Sequence, residues 1–316
     1  MKKTPQKIDL VYLWVDGSDP VWLKKRDAFL GIVGDNRPET CKGRFANNDE
    51  LKYSLRSVEE YAPWIQNIFI VTDNQTPAWL ETTNPKIKII DHKDILPEIA
   101  LPCFNSSVIE YFLYNISGLS EHFLLSNDDM FFTATVTPDF FFKEDGFPIV
   151  RLKKYPFENL IYQLRRFLIG HKPGQYRQMI ADSAKLVRTK FGKNYSALPH
   201  HNIDAYKKSD YQQAVENIFK PEVEKSLHSH LRQFGDFQRS AISYYALAIG
   251  HGHLRYVDNY EAQRISAHKT DFMKAFLRFN PKLLCLNDGQ HTTDEDRARI
   301  KPFLELLFQK KSSFEK

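Results

Sequence analysis

Apolar runs alternate with helix-patterned segments along the first half of the chain. Four runs rich in β-branched and aromatic residues predict strands, at residues 8–15, 67–72, 86–90 and 121–125. Between them the apolar residues recur at close to the period of an α-helix, in segments that begin near residues 20, 50 and 106. Pro20 suits the first position of one helix, and Asn48 or Asp49 suits the cap of the next. This alternation predicts an α/β fold with a mostly parallel, Rossmann-like sheet.

The pattern changes after residue 142, where Lys, Arg, Tyr and His become frequent and strand-like runs are few. We therefore divide the chain into a Rossmann-like half, residues 1–149, and a mainly helical half, residues 150–316, within a single functional unit. A further helix is predicted over residues 294–308, because carboxylates precede an apolar stretch there. The final residues, KKSSFEK, are predicted to form a frayed tail.

Acidic residues follow two of the predicted strands directly. They are Asn127, Asp128 and Asp129 after the fourth run, and Asp16, Gly17 and Asp19 after the first. In open α/β sheets the ligand crevice lies outside the carboxyl ends of the strands. Hard oxygen ligands at that edge suit Mg²⁺ or Mn²⁺ holding a diphosphate. Each acidic tip also has an ordinary interpretation, as a turn or a helix cap, but the presence of two such tips in one chain weakens it.

Composition narrows the class of protein. The chain has 316 residues, of which 42% are hydrophobic and 26% charged, as is typical of a globular protein. Its net charge of +5 is small and its Lys and Arg are dispersed, so we expect no nucleic-acid partner. The three cysteines, Cys41, Cys103 and Cys285, lack metal-ligand spacing and are predicted to be free thiols of a reducing compartment. Asp9 and Asp16 interrupt the first apolar run, which argues against a signal peptide and for a cytoplasmic protein.

Four separated blocks of the sequence resemble the Stealth family of sugar-1-phosphate transferases. The blocks are IDLVYLWVDGSDP; RFANNDELKYSLRSVEEYAPWIQNIFIVTDNQTPAWL, continued through LPCFNS to SEHFLLSNDDMFF; HHNIDAYKKSDY with HLRQFGD; and LLCLNDGQHTTDEDRARIKPFLELLF. Little resemblance is found between residues 142 and 198. The resemblance implies a GT-A-like form of the Rossmann-like sheet. It also implies transfer of a sugar 1-phosphate from a nucleotide-diphospho-sugar, with a UDP-sugar expected, to a saccharide hydroxyl. The products are phosphodiester linkages of capsular polysaccharide or exopolysaccharide.

The resemblance also assigns roles to individual residues. Those implied are Asp16, Gly17, Asp19 and Asn127 for the donor, Asp128, Asp129 and Asp288 for Mg²⁺ or Mn²⁺, and Asp128, Arg232, His201 and His200 for catalysis. Adjacent His200 and His201 leave the catalytic histidine open, although His201 aligns better with the family residue. A histidine that titrates near neutrality can take the proton of the acceptor, and an arginine can neutralise phosphate oxygens. Locally, Asn287 and Asp288 are also typical of a turn.

Two other functions fit parts of the same pattern. A metal-dependent GT-A-type glycosyltransferase would use the same acidic pair and release a nucleoside diphosphate. A carbohydrate-binding scaffold would instead use the aromatic residues, which make up 14% of the chain. No apolar run is long enough to span a membrane. The basic end of the last helix, at Lys310 and Lys311, permits peripheral contact with anionic lipid and with capsule assembly machinery at the inner face of the cell membrane.

Overall fold

Ten strands form three sheets in the part of the chain that the structure describes. The computed structural model describes residues 7–31, 42–153, 174–195, 197–233 and 235–316, together with 164, 167 and 168. The strands are β1 (Ile8–Leu13), β2 (Ile68–Thr72), β3 (Ile87–Asp91), β4 (His122–Asn127), β5 (Met130–Phe132), β6 (Ile149–Lys153), β7 (Asp204–Lys207), β8 (His253–Val257), β9 (Ala262–Ser266) and β10 (Leu283–Asn287).

The central sheet has five strands in the order β3-β2-β1-β4-β7. The first four run parallel and β7 adds an antiparallel edge. Both faces are buried: one apolar cluster contains Val11 and Phe123, and the other contains Leu10 and Leu124. This burial explains why the strands are nearly continuous apolar runs. The prediction of an α/β fold with a mostly parallel, Rossmann-like sheet is confirmed.

Eleven α-helices are described, with short 3₁₀ segments between some of them. They are α1 (Pro20–Leu30), α2 (Glu50–Tyr61), α3 (His92–Ile95), α4 (Ser106–Tyr111), α5 (Gln175–Phe191), α6 (Lys208–Gln213), α7 (Lys220–Ser226), α8 (Ser240–Ala248), α9 (Phe272–Phe279), α10 (Asp294–Ala298) and α11 (Ile300–Leu307). Asp19 caps α1 by accepting from the Val21 N–H, and Pro20 occupies the first turn as predicted. The single helix predicted over residues 294–308 is interrupted at Arg299.

The second half carries more strand than its pattern predicted. It supplies β7 to the central sheet, and β9 and β10 to a second sheet of order β5-β10-β9. β6 crosses the chosen boundary between residues 149 and 150 and pairs with β8. Sequences such as DAYK and AQRIS place a polar residue at alternate or end positions, so they lack the unbroken apolar runs that marked β1, β2 and β4. Strands of four or five residues that lie at a sheet edge need no such run.

The predicted frayed tail is wrong. Phe314 and Glu315 are buried, and both carboxylate oxygens of Glu315 accept from Arg56 of α2, at 2.8 Å each. Glu315 also forms a bridge with Leu80 of the first half. One aromatic residue and one ion-paired carboxylate therefore anchor a stretch whose composition is otherwise polar.

Two further expectations concern thiols and membranes. Cys103 and Cys285 are free and buried, whereas Cys41 lies outside the described residues. Among the described residues, no helix is both long enough and apolar enough to cross a bilayer.

Candidate active site

A cavity of about 430 Å³ opens at the carboxyl ends of β1 and β4. This is the point where the strand order reverses, which is where open α/β sheets bind ligands. Residues from both halves line it. They include Trp14, Trp22, Phe45, Glu50, Phe104, Glu110, Asn127, Asp128, Asp129, Tyr176, His201, Arg232, Arg239, Arg264, Asn287 and Asp288.

One wall of the cavity is acidic. Asp128 and Asp129 occupy the tight turn between β4 and β5, and Glu50 begins α2 beside them. Burial raises the pKa of Glu50 to about 7 and that of Asp129 to about 6. Burial, and then the charges of Glu50 and Asp129, raise the pKa of Asp128 well above its ordinary value. Three carboxyl groups whose ionised forms are disfavoured by burial, and for Asp128 also by its acidic neighbours, suit a site that receives a cation.

The donor atoms fit a divalent cation at Asp128 and Asp129. Asp129 Oδ1 is buried and has no hydrogen-bond partner among the described residues. No group of three or more His, Cys, Asp or Glu residues with metal-binding geometry occurs in the described ranges, but Mg²⁺ is commonly held by one or two carboxylates plus waters and substrate phosphates. Asp288 lines the cavity, yet its two oxygens accept from Arg297 at 2.7 and 3.1 Å. This geometry does not favour Asp288 as a metal ligand.

Arginines of the second half face the cavity. Arg232 donates to the Ser106 hydroxyl, and its Nε is buried with no partner in the described part of the chain. Arg239 is held between Glu110 at 3.5 Å and Asp204 at 3.3 Å. The cavity therefore combines positively charged side chains and an acidic wall, as the binding of a diphosphate with its metal ion would require.

The two adjacent histidines have different environments. His201 lines the cavity, and its Nδ1 lies 3.4 Å from the Tyr176 hydroxyl. Burial lowers the pKa of His201 to about 3, aided by the charges of Arg264 and Arg239, so its ring is neutral at physiological pH. His200 is fully buried, and its Nε2 lies 2.9 Å from Asp204. The geometry favours His201 over His200 as the base, and this role stays a prediction.

In the loop after β1, Trp14 lines the cavity but Asp16, Gly17 and Asp19 do not. Asp16 accepts from the Ser18 N–H and hydroxyl, while Asp19 caps α1. A Cβ at Gly17 would lie 2.2 Å from the carbonyl oxygen of Phe45, and the Gly17 N–H donates to that oxygen at 2.8 Å. The loop thus fixes the position of Phe45, which lines the cavity. Donor binding by Asp16, Gly17 and Asp19 was expected from the resemblance, but the contacts observed for these residues are structural ones within the loop and with Phe45. Asn127, which was also expected to bind the donor, does line the cavity.

Models of conserved protein regions match the first half of the chain. The model described as Stealth protein CR1, conserved region 1, matches residues 6–34, and that of Stealth protein CR2, conserved region 2, matches residues 44–150. An exopolysaccharide phosphotransferase of Streptomyces coelicolor is 33% identical over 98% of this chain and 51% of its own length. The chain belongs to the Stealth family. A capsular polysaccharide phosphotransferase of Neisseria meningitidis serogroup A is 30% identical over 98% of this chain and 57% of its own length.

This Stealth chain spans about half the length of several curated relatives that it matches. An exopolysaccharide phosphotransferase of Lactiplantibacillus plantarum is 43% identical over 62% of the chain and 53% of that relative. Among solved structures, the galactosyltransferase LgtC shares 12% identity with a TM-score of 0.48, over 95% of each chain.

Several residues of this Stealth site were missed by the sequence analysis. They are Glu50, Glu110, Tyr176, Arg239 and Arg264. Glu50 follows Asn48 and Asp49, and this run is typical of a helix start. The available signal was a second carboxylate, directly after Asp49, in that polar run. Tyr176 and Arg264 lie outside all four recognised blocks, and no local pattern distinguishes them from surface residues.

Proposed function

We propose that this chain transfers a sugar 1-phosphate from a nucleotide-diphospho-sugar to a saccharide hydroxyl, in the synthesis of capsular polysaccharide or exopolysaccharide. Relatives that bear the name phosphotransferase match across 98% of the chain. The observation that carries the proposal is a cavity in which Asp128 and Asp129 share the walls with Arg232 and neutral His201. Phosphoryl transfer needs this combination, since its catalysis consists mostly of positioning and charge stabilisation.

The donor, proposed to be a UDP-sugar, would place its diphosphate between the acidic wall and the arginines. Asp128 and Asp129 would hold Mg²⁺ or Mn²⁺, which supplies charge neutralisation to the diphosphate when bound. Trp14, Trp22 and Phe45 line the same cavity and offer aromatic surface for a base or sugar ring. Asn127 contributes an amide next to the acidic pair.

The proposed step forms one phosphorus–oxygen bond and breaks another. The acceptor hydroxyl oxygen attacks the sugar-proximal phosphorus, and the bond from that phosphorus to the bridging oxygen breaks. The nucleoside monophosphate leaves with the bonding electrons, and His201 takes the acceptor proton. Burial is the main cause of the low pKa of His201, and the charges of Arg264 and Arg239 add to it. A bound diphosphate would offset those two charges and so make His201 a stronger base.

The identity of the released nucleotide tests the proposal. The protein is incubated with Mg²⁺, a panel of nucleotide-sugars and a capsule oligosaccharide, and the spent donor is separated by chromatography. A nucleoside monophosphate, UMP for a UDP-sugar, together with a phosphodiester ³¹P resonance in the product, is the expected result. Asp182→Asn, at an exposed position on α5, should behave as the unchanged protein does.

The same experiment tests the alternative reactions. The acidic turn after β4 would also serve a metal-dependent glycosyltransferase, which cleaves the bond from the anomeric carbon to oxygen. Acceptor-dependent release of a nucleoside diphosphate with a phosphate-free product would establish that reaction. A carbohydrate-binding scaffold would consume no donor at all.

We further propose a cytoplasmic location with peripheral contact at the inner face of the membrane, where it would meet capsule assembly machinery. Exposed Leu306 lies in the last turn of α11, and exposed Lys310 and Lys311 follow that helix in the chain. These residues support weak binding to anionic lipid. Sedimentation with phosphatidylglycerol vesicles, compared with phosphatidylcholine vesicles, measures this binding. Equal sedimentation with both would refute it.

A further inference from the structure

Arg264 reaches the cavity from a strand that no recognised block contains. It lies in β9, where the parallel register pairs it with Cys285 of β10. Cys285 in turn pairs with Met130 of β5, and its Sγ lies 3.5 Å from Asp129 Oδ2. The three-stranded sheet β5-β10-β9 therefore connects the strand of Arg264 to the acidic turn through a single intervening strand.

The guanidinium of Arg264 has a neutral partner. It donates to Asn287 Oδ1, and the Nδ2 of Asn287 donates to the Asp288 carbonyl at 2.7 Å, which fixes the orientation of the amide. Among the described residues, no carboxylate lies within ion-pair distance of Arg264, in contrast to Arg239 and Arg297, which each pair with two acids. Arg264 is also exposed, so its remaining N–H groups are accessible.

Arg264 lines the same cavity as both of its chemical sides. Asp129 of the acidic wall and His201, the candidate base, line this cavity as well. Cys285, which pairs with Arg264 across the sheet, has its Sγ 3.5 Å from Asp129 Oδ2. Arg264 therefore borders the space between the acidic wall and the candidate base, where the transferred phosphoryl group would be bound.

We propose that Arg264 contacts the transferred phosphoryl group, donating N–H groups to its non-bridging oxygens, and that Asn287 positions the guanidinium for this contact. The proposal rests on the proposed function and adds a catalytic residue to the Arg232 that the family resemblance implied. A planar guanidinium matches two phosphate oxygens at once, so replacement by Lys would preserve the charge but lose the paired hydrogen bonds.

Substitution of Arg264 tests the contact, with Arg255 as a matched control. Arg255 lies on β8, which precedes β9 in the chain but belongs to the sheet with β6. It is exposed, pairs with Glu261 at 2.6 Å and does not line the cavity. Arg264→Gln should lower kcat/KM about 100-fold or more, as loss of a donor to a developing oxyanion does, and Arg264→Lys should retain part of the activity. Arg255→Gln should stay within about twofold. Circular dichroism confirms that each variant is folded.

Chemical rescue separates a contact from a structural role. Added guanidinium ion at millimolar concentration should restore activity to Arg264→Ala, whereas methylammonium should restore less, because only the planar ion reproduces the paired hydrogen bonds. A folded Arg264→Gln variant with kcat/KM within threefold of the unchanged protein would overturn the proposal. Failure of guanidinium to restore any activity to folded Arg264→Ala would do the same.

Binding of inorganic pyrophosphate with Mg²⁺ distinguishes this proposal from the proposed function. Arg264→Gln should weaken that binding about tenfold or more in calorimetry, whichever bond of the donor is later cleaved. Release of nucleoside diphosphate by the unchanged protein would refute the proposed function and leave the pyrophosphate result interpretable. Unchanged pyrophosphate affinity in Arg264→Gln, with nucleoside monophosphate still released by the unchanged protein, would refute the role of Arg264 alone.

Discussion

Replacement of Asp129 by Asn should stabilise the fold while it abolishes turnover. Burial holds the pKa of this carboxyl group at about 6, compared with an ordinary value of 3.8. The folded state therefore binds a proton more tightly than the unfolded state does. Stability from this group is fully present below its unfolded pKa and is lost as the pH rises through 6. Asn cannot ionise, so Asp129→Asn avoids that loss.

The size of the effect follows from the shift. A rise of roughly two pKa units corresponds to about 3 kcal/mol, because each unit is worth about 1.4 kcal/mol. In EDTA at pH 8, Asp129→Asn should therefore raise the free energy of unfolding by up to about 3 kcal/mol. Near pH 4 the carboxyl group is protonated in the folded protein and roughly half ionised in the unfolded chain, so the gain should fall below about 1 kcal/mol.

Urea denaturation at pH 4 and pH 8, with EDTA present, measures the gain. Exposed Asp182→Asn is the control and should change little at either pH. Activity with Mg²⁺ is measured in parallel and should be lost in Asp129→Asn alone. Two results would contradict this reasoning: a lower free energy of unfolding for Asp129→Asn at pH 8, or an equal gain at both pH values. Either would show that ionised Asp129 does not destabilise the folded protein.

Three other outcomes are expected. His201→Asn should abolish transfer while calorimetry shows that donor binding is retained. His200→Asn should chiefly lower the melting temperature, because His200 is fully buried and hydrogen-bonded. An equal loss of turnover in the two variants, with no change in melting temperature, would contradict this. Glu315→Gln should lower the free energy of unfolding by about 2 kcal/mol at pH 7 and by less near pH 3, since its ion pair holds the pKa at about 2. Mg²⁺ affinity should rise between pH 5.5 and pH 8 with release of protons, because Asp129 must ionise to bind metal; calorimetry in two buffers measures it, and pH-independent affinity would refute it.

Local sequence signals were sufficient where one short stretch determines both structure and chemistry. The run at residues 121–125 and the polar residues after it predicted β4 and the acidic turn, because a buried strand needs continuous apolar residues and must end where they stop. Asp19 and Pro20 predicted the start of α1, since capping and the fixed proline φ angle are properties of adjacent residues.

Features that depend on distant partners were not predictable in this way. The proposed role of Arg264 depends on its hydrogen bond to Asn287 of β10 and on the cavity that it shares with Asp129 of the acidic turn, and nothing in AQRIS indicates either. Glu315 is likewise a buried carboxylate that is paired with Arg56, and Arg56 lies more than 250 positions earlier in the chain. Donor binding by Asp16 and Asp19 was expected from the family resemblance, whereas their hydrogen bonds close a turn and cap a helix.

The pairing of β4 with β7 has a consequence for synthesis on the ribosome. β4 ends at Asn127 and β7 begins at Asp204, so one edge of a largely buried strand stays unpaired while roughly 80 further residues are synthesised. At about 5–20 residues per second this interval lasts about 4–16 seconds. β5 waits longer, since β10 begins at Leu283. Both strands that hold the acidic turn therefore expose unpaired edges on the nascent chain, and we expect chaperone demand and aggregation of prematurely terminated chains to concentrate there.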